Sequence, residues 1–145
     1  ITHKSIKEKE DFNRLKDNYL LKLIKLLQYI GFLHDHITVD GCTKYMGICK
    51  FKDFPYRRID IRFISYNSFA PALLYFTGSA DLNKKMRIEA ITKGMKLNEY
   101  GLYKGIFDKK LNKDVFDEKL DTPTEESVFK LLEMDYLEPT QRNIK

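Results

Sequence analysis

The hydrophobic pattern changes its period near residue 66, and this change is the strongest constraint on the fold. Residues 11–30 carry apolar side chains at three- and four-residue steps, which predicts one amphipathic helix ended by Gly31. Three strand-like segments follow, at residues 33–40, 43–51 and 56–65, with a turn at Asp40-Gly41 between the first two. A long helix beside three short strands predicts a first unit, residues 1–65, in a chain of the α+β class.

The second unit, residues 66–145, returns to a helical period. Its predicted elements are helices at 68–76 and 81–93, a strand at 97–103, a loop or ragged hairpin at 104–121, and a helix at 123–133. Thr122 is the predicted N-cap of the last helix, because a proline and a glutamate occupy the first and third positions after it. This unit is therefore expected to be mostly helical, with a short antiparallel sheet.

The segment 56–63 carries the residues with the clearest chemical potential. Successive residues of a strand point to opposite faces, so one face holds Ile59, Ile61 and Phe63, and the other holds Tyr56, Arg58, Asp60 and Arg62. Asp60 is thereby expected between two arginines. One interpretation is an exposed charge row, common on antiparallel sheets. The other is a carboxylate that the arginines keep ionised, able to accept a proton or to bind a divalent cation together with further ligands.

Composition restricts the partners only loosely. The formal net charge of +5 is compatible with nucleic-acid binding and equally with a lysine-rich surface. No apolar run has the length of a membrane-spanning helix. The two cysteines do not form a disulfide framework, which favours a reducing compartment. We therefore expect the nucleus or the cytoplasm, with a virion or viral factory as the alternative, and no membrane partner.

Six collinear blocks resemble family X, the polymerase beta-like DNA polymerases. They are Thr43-Lys44-Tyr45-Met46-Gly47, Arg57-Arg58-Ile59-Asp60-Ile61-Arg62, Leu74-Tyr75-Phe76-Thr77-Gly78-Ser79, Asn83-Lys84-Lys85-Met86-Arg87, Leu97-Asn98-Glu99-Tyr100-Gly101-Leu102 and Tyr136-Leu137-Glu138-Pro139. The resemblance implies the C-terminal part of a nucleotidyltransferase palm, a helix on a small mixed sheet, in residues 1–65. It implies a nucleotide- and base-pair-selection subdomain, called fingers or thumb by different conventions, in residues 66–145.

The same resemblance implies catalytic roles for the charged face of the third strand. Asp60 resembles the third metal-ligating carboxylate, part of a site for two Mg²⁺ ions, and Arg58 would lie close to it. Arg62 resembles an arginine that exchanges partners as the enzyme closes, and its family partner matches Glu99. The DNA- and template-binding positions implied by the resemblance are Thr43, Lys44, Lys84, Arg87, Glu99 and Tyr100.

The nucleotide site implied by the resemblance lies where the first two predicted helices of the second unit meet. Its residues are Tyr75, Phe76, Gly78, Ser79 and Asn83. Family members have a cis peptide at the position of Gly78–Ser79, and we expect one here. Asn83 and Arg87 share one helical stripe with Lys84, expected to face the nascent base pair, although a solvated face is the usual meaning of such a stripe.

The chain departs from the family pattern in four places. Ala80 replaces an aspartate near the incoming base, Asp40 replaces a basic residue, and residues 104–121 do not follow the family pattern. The family's other two metal-binding aspartates match positions a few residues before Ile1, and nothing within the chain could replace them. His34 and His36 share a strand face, but a zinc site would need more ligands.

Three functions remain open at this point. The first is a template-directed DNA polymerase of the gap-filling repair type, acting with Mg²⁺ on dNTPs and a DNA primer-template, as a monomer; this chain alone would be inactive. The second is a non-catalytic DNA- or nucleotide-binding module derived from that fold. The third, a nucleotidyltransferase that reads no template, is weakened by Tyr75, Asn83 and Arg87.

Overall fold

The structure is a computed structural model, and it describes residues 1–8, 11–14, 18–38, 43–108 and 113–143. The chain forms two compact units, Ile1–Tyr66 and Asn67–Lys145. Within the described ranges, every helix is too short or too polar to cross a bilayer.

The first unit packs helices against a three-stranded sheet. Its elements are α1 (Asp11–Arg14), α2 (Tyr19–Tyr29), β1 (Leu33–His36), β2 (Lys44–Cys49) and β3 (Arg57–Arg62). The strand order is β1-β2-β3, and both pairings are antiparallel. The core of this unit is built from Ile6, Leu20, Ile24, Leu33, Tyr45 and Phe63. Ile59 and Ile61 pack against that core, which confirms the predicted inner face of β3.

The prediction of one helix over residues 11–30 was wrong. Asn18 has an extended backbone, with φ −80° and ψ 94°, and its side-chain oxygen accepts the Leu21 N–H at 2.9 Å as the N-cap of α2. The helical pattern is therefore divided at Asn18. Residues 15–17, like the predicted Asp40-Gly41 turn, lie outside the described residues. The predicted stop at Gly31 is confirmed, with φ +73° just after the end of α2.

The outer edge of β3 carries one residue from the start of the chain. The backbone nitrogen of Ile1 donates to the Arg62 carbonyl (2.9 Å), and the Ile64 N–H donates to the Ile1 carbonyl (2.9 Å). Two bonds to residues on either side of Phe63 are the pattern of a parallel pair. The parallel component of the expected mixed sheet is thus represented by Ile1 opposite Phe63, whereas β1, β2 and β3 pair antiparallel.

The second unit combines three α-helices with a second antiparallel sheet. Its elements are α3 (Phe69–Thr77), α4 (Ala80–Thr92), β4 (Met95–Asn98), β5 (Gly101–Asp108), β6 (Lys113–Lys119) and α5 (Glu125–Leu131), with 3₁₀ turns at Tyr66–Ser68 and Pro139–Gln141. The strand order is β4-β5-β6. The core consists of Leu74, Leu82, Met86, Ala90, Leu102, Val128, Phe129 and Leu132.

Two expectations for this unit are now decided. Of the alternatives for residues 104–121, the hairpin is confirmed by β5 and β6, although residues 109–112 lie outside the described residues. The N-cap of α5 is Thr124, and the choice of Thr122 was wrong. Thr124 Oγ1 accepts the Ser127 N–H (3.2 Å), and Ser127 Oγ accepts the Thr124 N–H (3.3 Å), so a reciprocal capping box selects the later threonine.

Candidate functional site

The charged face of β3 holds an ion pair along the strand. Arg58 Nε donates to Asp60 Oδ1 at 2.9 Å and Arg58 Nη2 donates to Asp60 Oδ2 at 3.3 Å. The guanidinium therefore grips both carboxylate oxygens, which fixes the plane of the carboxylate as well as its position. Both side chains remain accessible, with 58% of Arg58 and 43% of Asp60 exposed. The arrangement leaves Asp60 open to a ligand arriving from solvent.

The pKa of Asp60 lies below its ordinary value of 3.8. The hydrogen bond from Arg58 is the main cause, partial burial opposes it, and the charges of Arg58 and Lys44 add to the lowering. Because the folded pKa is depressed, this carboxylate is ionised at neutral pH and loses its charge only as pH falls through that lowered value. Asp60 is thus held in the form that binds a cation.

Arg62 was expected to keep Asp60 ionised together with Arg58, but it is not among the groups that lower the pKa of Asp60. Its Nε is buried and, within the described chain, has no hydrogen-bond partner. The second positive influence on Asp60 is Lys44, which faces Arg62 across the β2–β3 pair while Met46 faces Asp60. Lys44 is therefore a diagonal cross-strand neighbour of the carboxylate. Only the register of the two strands, which the sequence does not show, could have indicated this electrostatic influence.

We expect Arg58→Ala to raise the pKa of Asp60 towards its ordinary value, because the main hydrogen bond holding it down is removed. A carboxyl-carbon NMR titration of Asp60 measures the change. Arg57→Ala is the matched control, since Arg57 is an exposed arginine of the same strand and makes no contribution to that pKa. Equal Asp60 titration curves in the wild-type protein and Arg58→Ala would contradict the assignment.

Asp60 can provide one oxygen ligand for a divalent cation. Each of its oxygens accepts one hydrogen bond from Arg58, which leaves a lone pair on each for a metal. Hard cations such as Mg²⁺ prefer carboxylate oxygens. Over the described ranges, no group of three or more His, Cys, Asp or Glu side chains could hold a metal ion. The residues present fit one part of a metal site.

The two histidines discounted above make contacts inside the first unit. His36 Nδ1 lies 2.9 Å from the Tyr45 hydroxyl, and its Nε2 lies 2.6 Å from Gln28 Nε2. The His34 ring meets the Tyr56 ring edge to face at a centroid distance of 5.1 Å. These contacts give both imidazoles a packing role on the sheet.

Tyr75 is the centre of a second candidate site, in the second unit. Asn83 Nδ2 donates to the Tyr75 carbonyl at 2.8 Å, which joins α4 to the end of α3. The Arg87 guanidinium lies 5.1 Å from the centroid of the Tyr75 ring, a cation–π distance. Phe76, exposed over half of its surface, meets Tyr75 edge to face at 5.1 Å. The four side chains form one preorganised cluster with an exposed aromatic edge.

The turn between α3 and α4 positions this cluster. Gly78 has φ +76°, a conformation that favours glycine, and the predicted cis peptide at Gly78–Ser79 is confirmed. Ser79 Oγ accepts the Leu82 N–H at 3.3 Å and so caps α4. The Ser79 N–H in turn donates to the Arg142 carbonyl at 3.3 Å, which ties the turn to the end of the chain.

A groove along α4 contains four of the predicted contact residues. It is lined by Tyr75, Ala80, Asn83, Lys84, Arg87, Ile88 and Ile91. The neighbouring apolar stripe, Leu82, Met86 and Ala90, is fully buried, so the polar stripe faces outward. Ile88 and Ile91 were not anticipated, although they stand four and seven residues after Lys84 and therefore on the same helical face.

The remaining predicted contact positions lie at strand ends. Glu99 and Tyr100 form the turn between β4 and β5, where Asn98 Oδ1 accepts the N–H groups of Tyr100 (2.8 Å) and Gly101 (3.1 Å). Thr43 directly precedes β2, and its carbonyl accepts the Phe63 N–H at 2.8 Å. These positions are accessible, which suits them to contact a large ligand.

The first unit thus carries an ionised carboxylate on a small antiparallel sheet, and the second unit carries an exposed cluster of aromatic and basic side chains around Tyr75. Residues 1–66 match the family model of the DNA polymerase beta palm, and residues 72–143 match that of the DNA polymerase beta thumb. The chain belongs to family X, the polymerase beta-like DNA polymerases. Members of this family use divalent metal ions in general.

Three curated relatives show how far this similarity extends. DNA polymerase lambda of Rattus norvegicus is 41% identical over 128 residues, which cover 83% of this chain and 22% of the relative. DNA polymerase lambda of Arabidopsis thaliana is 28% identical over 137 residues, covering 87% of the chain and 26% of the relative. DNA polymerase IV of Saccharomyces cerevisiae is 31% identical over 103 residues, covering 70% and 16%. The chain thus spans between 16% and 26% of the length of these relatives.

Proposed function

We propose that this chain is the C-terminal portion of a template-directed DNA polymerase of the gap-filling repair type, which adds dNTPs to a primer 3′ end by two-metal nucleotidyl transfer. Residues 1–65 are the later part of its palm, and residues 66–145 are its nucleotide- and base-pair-selection subdomain. The partners are dNTP and a DNA primer-template, gapped in the working complex, and the protein acts as a monomer in the nucleus or cytoplasm. The relatives from rat, plant and yeast give no support to a viral location.

The observation that carries the proposal is the position of Ile1 beside the strand that bears Asp60. Ile1 pairs with Phe63 in the parallel pattern, so residues before Ile1 would continue along the free edge of β3. In that register the residue three before Ile1 lies opposite Asp60, and the residue five before lies opposite Arg58. Both would share the face of Asp60, because side chains alternate along a strand. An aspartate at each of these positions would complete a three-carboxylate site.

The chain's own residues have separate tasks in this proposal. Asp60 supplies a carboxylate ligand next to the primer 3′ hydroxyl, and Arg58 keeps that carboxylate ionised and oriented. Two Mg²⁺ ions, when bound, would stabilise the attacking and the leaving oxygens of an in-line displacement at the α-phosphate of the nucleotide. Arg62 changes partners as the enzyme closes, and Glu99 matches its partner in the family. Thr43, Lys44 and Tyr100 hold DNA.

The cluster around Tyr75, here called the Tyr75 cradle, selects the nucleotide. Tyr75, Phe76 and Gly78 pack against the incoming sugar, and Ser79 also binds the nucleotide. Asn83 and Arg87 reach the minor-groove side of the new pair, where the acceptors are almost the same for every Watson–Crick pair. Contacts there test the shape of a pair without preferring one base, and Lys84 supports the template base. Ala80 provides no polar contact to the incoming base.

A non-catalytic DNA- or nucleotide-binding module is the second candidate. It is favoured by one observation, that the described part of the chain lacks a cluster of three metal-ligating side chains. Under this alternative the cradle around Tyr75 binds nucleotide or DNA, and Asp60 serves only its ion pair with Arg58. The two candidate functions predict different results for a version of the protein that includes the preceding strand. A polymerase would incorporate nucleotides, and a binding module would only bind DNA or nucleotide.

We expect the 145-residue chain to show no nucleotide incorporation on a gapped duplex with Mg²⁺, and a version extended through the preceding strand to incorporate the matched dNTP. Primer extension, followed by gel electrophoresis, measures both. The control is the extended version with its two upstream carboxylates changed to amides. Incorporation by the unextended chain would contradict the proposal, and DNA binding without incorporation by the extended version would favour the non-catalytic module.

We expect Arg87→Ala, in the extended protein, to raise misincorporation by about tenfold while changing the affinity for the matched dNTP less. A hydrogen bond from a charged group contributes about 1.5–3 kcal/mol, and a loss of 1.36 kcal/mol is a factor of ten. Ratios of kcat/KM for matched and mismatched dNTPs measure this effect. Lys85→Ala is the matched control on the same helix, outside the groove. An unchanged misincorporation ratio would show that Arg87 does not contact the pair.

A further inference from the structure

The connection between β2 and β3 exposes three aromatic rings within six residues. Phe51, Phe54 and Tyr56 are 57%, 65% and 59% exposed. We call these three side chains the aromatic platform. Such large apolar groups in one short segment mark a contact surface more often than a solvated loop. None of the family motifs identified above uses Phe51 or Phe54, and the two-metal chemistry gives the platform no task.

Two lysines lie directly against the rings of the aromatic platform. Lys50 Nζ is 5.1 Å from the centroid of the Tyr56 ring, and Lys52 Nζ is 5.3 Å from that of Phe51. The segment from Lys50 to Tyr56 contains one acidic residue, Asp53. Aromatic faces interleaved with cations fit a polyanion that also offers flat rings, and a purely apolar protein partner would have no use for the lysines.

The rings are held in place by their neighbours. Phe51 and Phe54 are stacked with an interplanar angle of 20° and a centroid distance of 6.5 Å, and the His34 ring supports Tyr56 edge to face at 5.1 Å. The Phe54 N–H donates to the Phe51 carbonyl at 3.1 Å and closes the turn between them. Lys52, inside this turn, has φ +51°, an unfavourable conformation for a side chain other than glycine. The surface is therefore preorganised.

The aromatic platform continues the surface of the candidate metal site. Tyr56 directly precedes β3, four residues before Asp60, and the alternation of the strand places it on the side of Arg58 and Asp60. At the rise of an extended strand this separation is about 13 Å, the length of a few nucleotides of single-stranded nucleic acid. A strand whose reacting end lies at Asp60 could reach Tyr56 with its nearby unpaired nucleotides.

We infer that the aromatic platform is a binding site for single-stranded DNA, in which bases stack on Phe51, Phe54 and Tyr56 while Lys50 and Lys52 contact phosphates. This inference extends the proposed function to unpaired nucleotides beside the reacting end. It depends on no metal and no incorporated nucleotide, so it can fail or succeed separately from polymerase activity. Stacking on aromatic side chains tolerates any base, so we expect binding without strong sequence preference.

The test is fluorescence anisotropy of a short labelled oligo(dT) titrated with the 145-residue chain, in the absence of metal and dNTP. Each of Phe51→Ala, Phe54→Ala and Tyr56→Ala should weaken binding by about tenfold, the typical loss for one stacked base. Tyr29→Ala is the matched control, because Tyr29 is a more exposed aromatic residue of the same unit, on α2. Circular dichroism confirms that each variant remains folded.

Salt dependence separates stacking from charge. Lys50→Ala, and Lys52→Gly, which also suits the positive φ, should each make the negative slope of log affinity against log salt concentration shallower by about 0.7. The three aromatic variants should leave that slope unchanged. Lys25→Ala, on α2, is the charge control.

Three results would overturn the inference. The first is unchanged oligo(dT) affinity in all three aromatic variants. The second is that the aromatic variants lose as much affinity for blunt duplex DNA, which offers no unpaired base to stack, as they lose for oligo(dT). The third is self-association of the chain that the aromatic variants abolish while oligo(dT) affinity stays constant, since the platform would then be a protein interface. An Asp60→Ala variant that loses polymerase activity and still binds oligo(dT) would support the inference, because the two sites would then act separately.

Discussion

Asp60→Ala in the extended protein is expected to abolish nucleotide incorporation while leaving DNA affinity almost unchanged. A metal-bound carboxylate supports several kcal/mol of charge stabilisation at the reacting phosphate, so its loss corresponds to roughly a thousandfold or greater fall in kcat. The affinity for DNA depends on other groups, chiefly cations that contact phosphates. Single-turnover incorporation with saturating DNA measures the chemical step, and a binding titration of the same variant measures the affinity.

The control for this experiment must remove a carboxylate without removing a ligand. Asp53→Asn does so, because Asp53 is exposed in the connection that precedes β3 and lies outside the Arg58–Asp60 pair. Asp60→Asn keeps the size of the side chain and removes its charge, so it should resemble Asp60→Ala in kcat. Turnover within about tenfold of the wild-type rate in either Asp60 variant would exclude a metal-ligand role.

Periodicity was sufficient for the class of fold and insufficient for the ends of its helices. The alternation of residues 56–63 correctly placed Ile59 and Ile61 inside and Asp60 outside, because successive side chains of a strand point to opposite faces. The division of the first helix at Asn18 has no apolar signature. It arises because the Asn18 side chain accepts the backbone N–H of Leu21, three residues later, and a hydrophobic pattern does not show such a local hydrogen bond. Thr122 and Thr124 differ in the same way, through the reciprocal bond to Ser127.

The candidate site was predictable where neighbours in sequence make the contact. Arg58 and Asp60 stand two apart on one strand, so their pairing follows from the alternation. Lys44 influences Asp60 across two strands, and Arg62 turns its Nε into a buried position, so both outcomes depend on tertiary register. The contact of Asn83 with the Tyr75 carbonyl also required the geometry of the turn between α3 and α4.

Arg142 has the deepest burial of any charged side chain among the described residues, with 1% exposed, and no pattern in the sequence predicts this. Its Nη1 donates to Glu125 Oε1 at 2.7 Å and its Nε donates to the Leu137 carbonyl at 2.9 Å. The rings of Phe129 and Tyr136 lie 5.8 and 5.7 Å from the guanidinium. A tail residue near the end of a polar segment has no periodic pattern that could have indicated this role.

We expect Arg142→Met to lower the free energy of unfolding by about 3–5 kcal/mol, because it leaves the Glu125 carboxylate, 15% exposed, without its partner. Urea denaturation followed by circular dichroism measures the loss.

The double variant Arg142→Met/Glu125→Leu removes both charges and should recover much of the lost stability, since an apolar pair of similar size can replace a buried ion pair. Lys93→Ala breaks an ion pair with the exposed Glu133 and is the control, with a small expected loss. A loss in Arg142→Met no larger than the loss in Lys93→Ala would contradict the prediction. Since the Arg142 carbonyl accepts the Ser79 N–H, the single variant should also loosen the turn that positions the Tyr75 cradle, visible as faster amide exchange at Ser79.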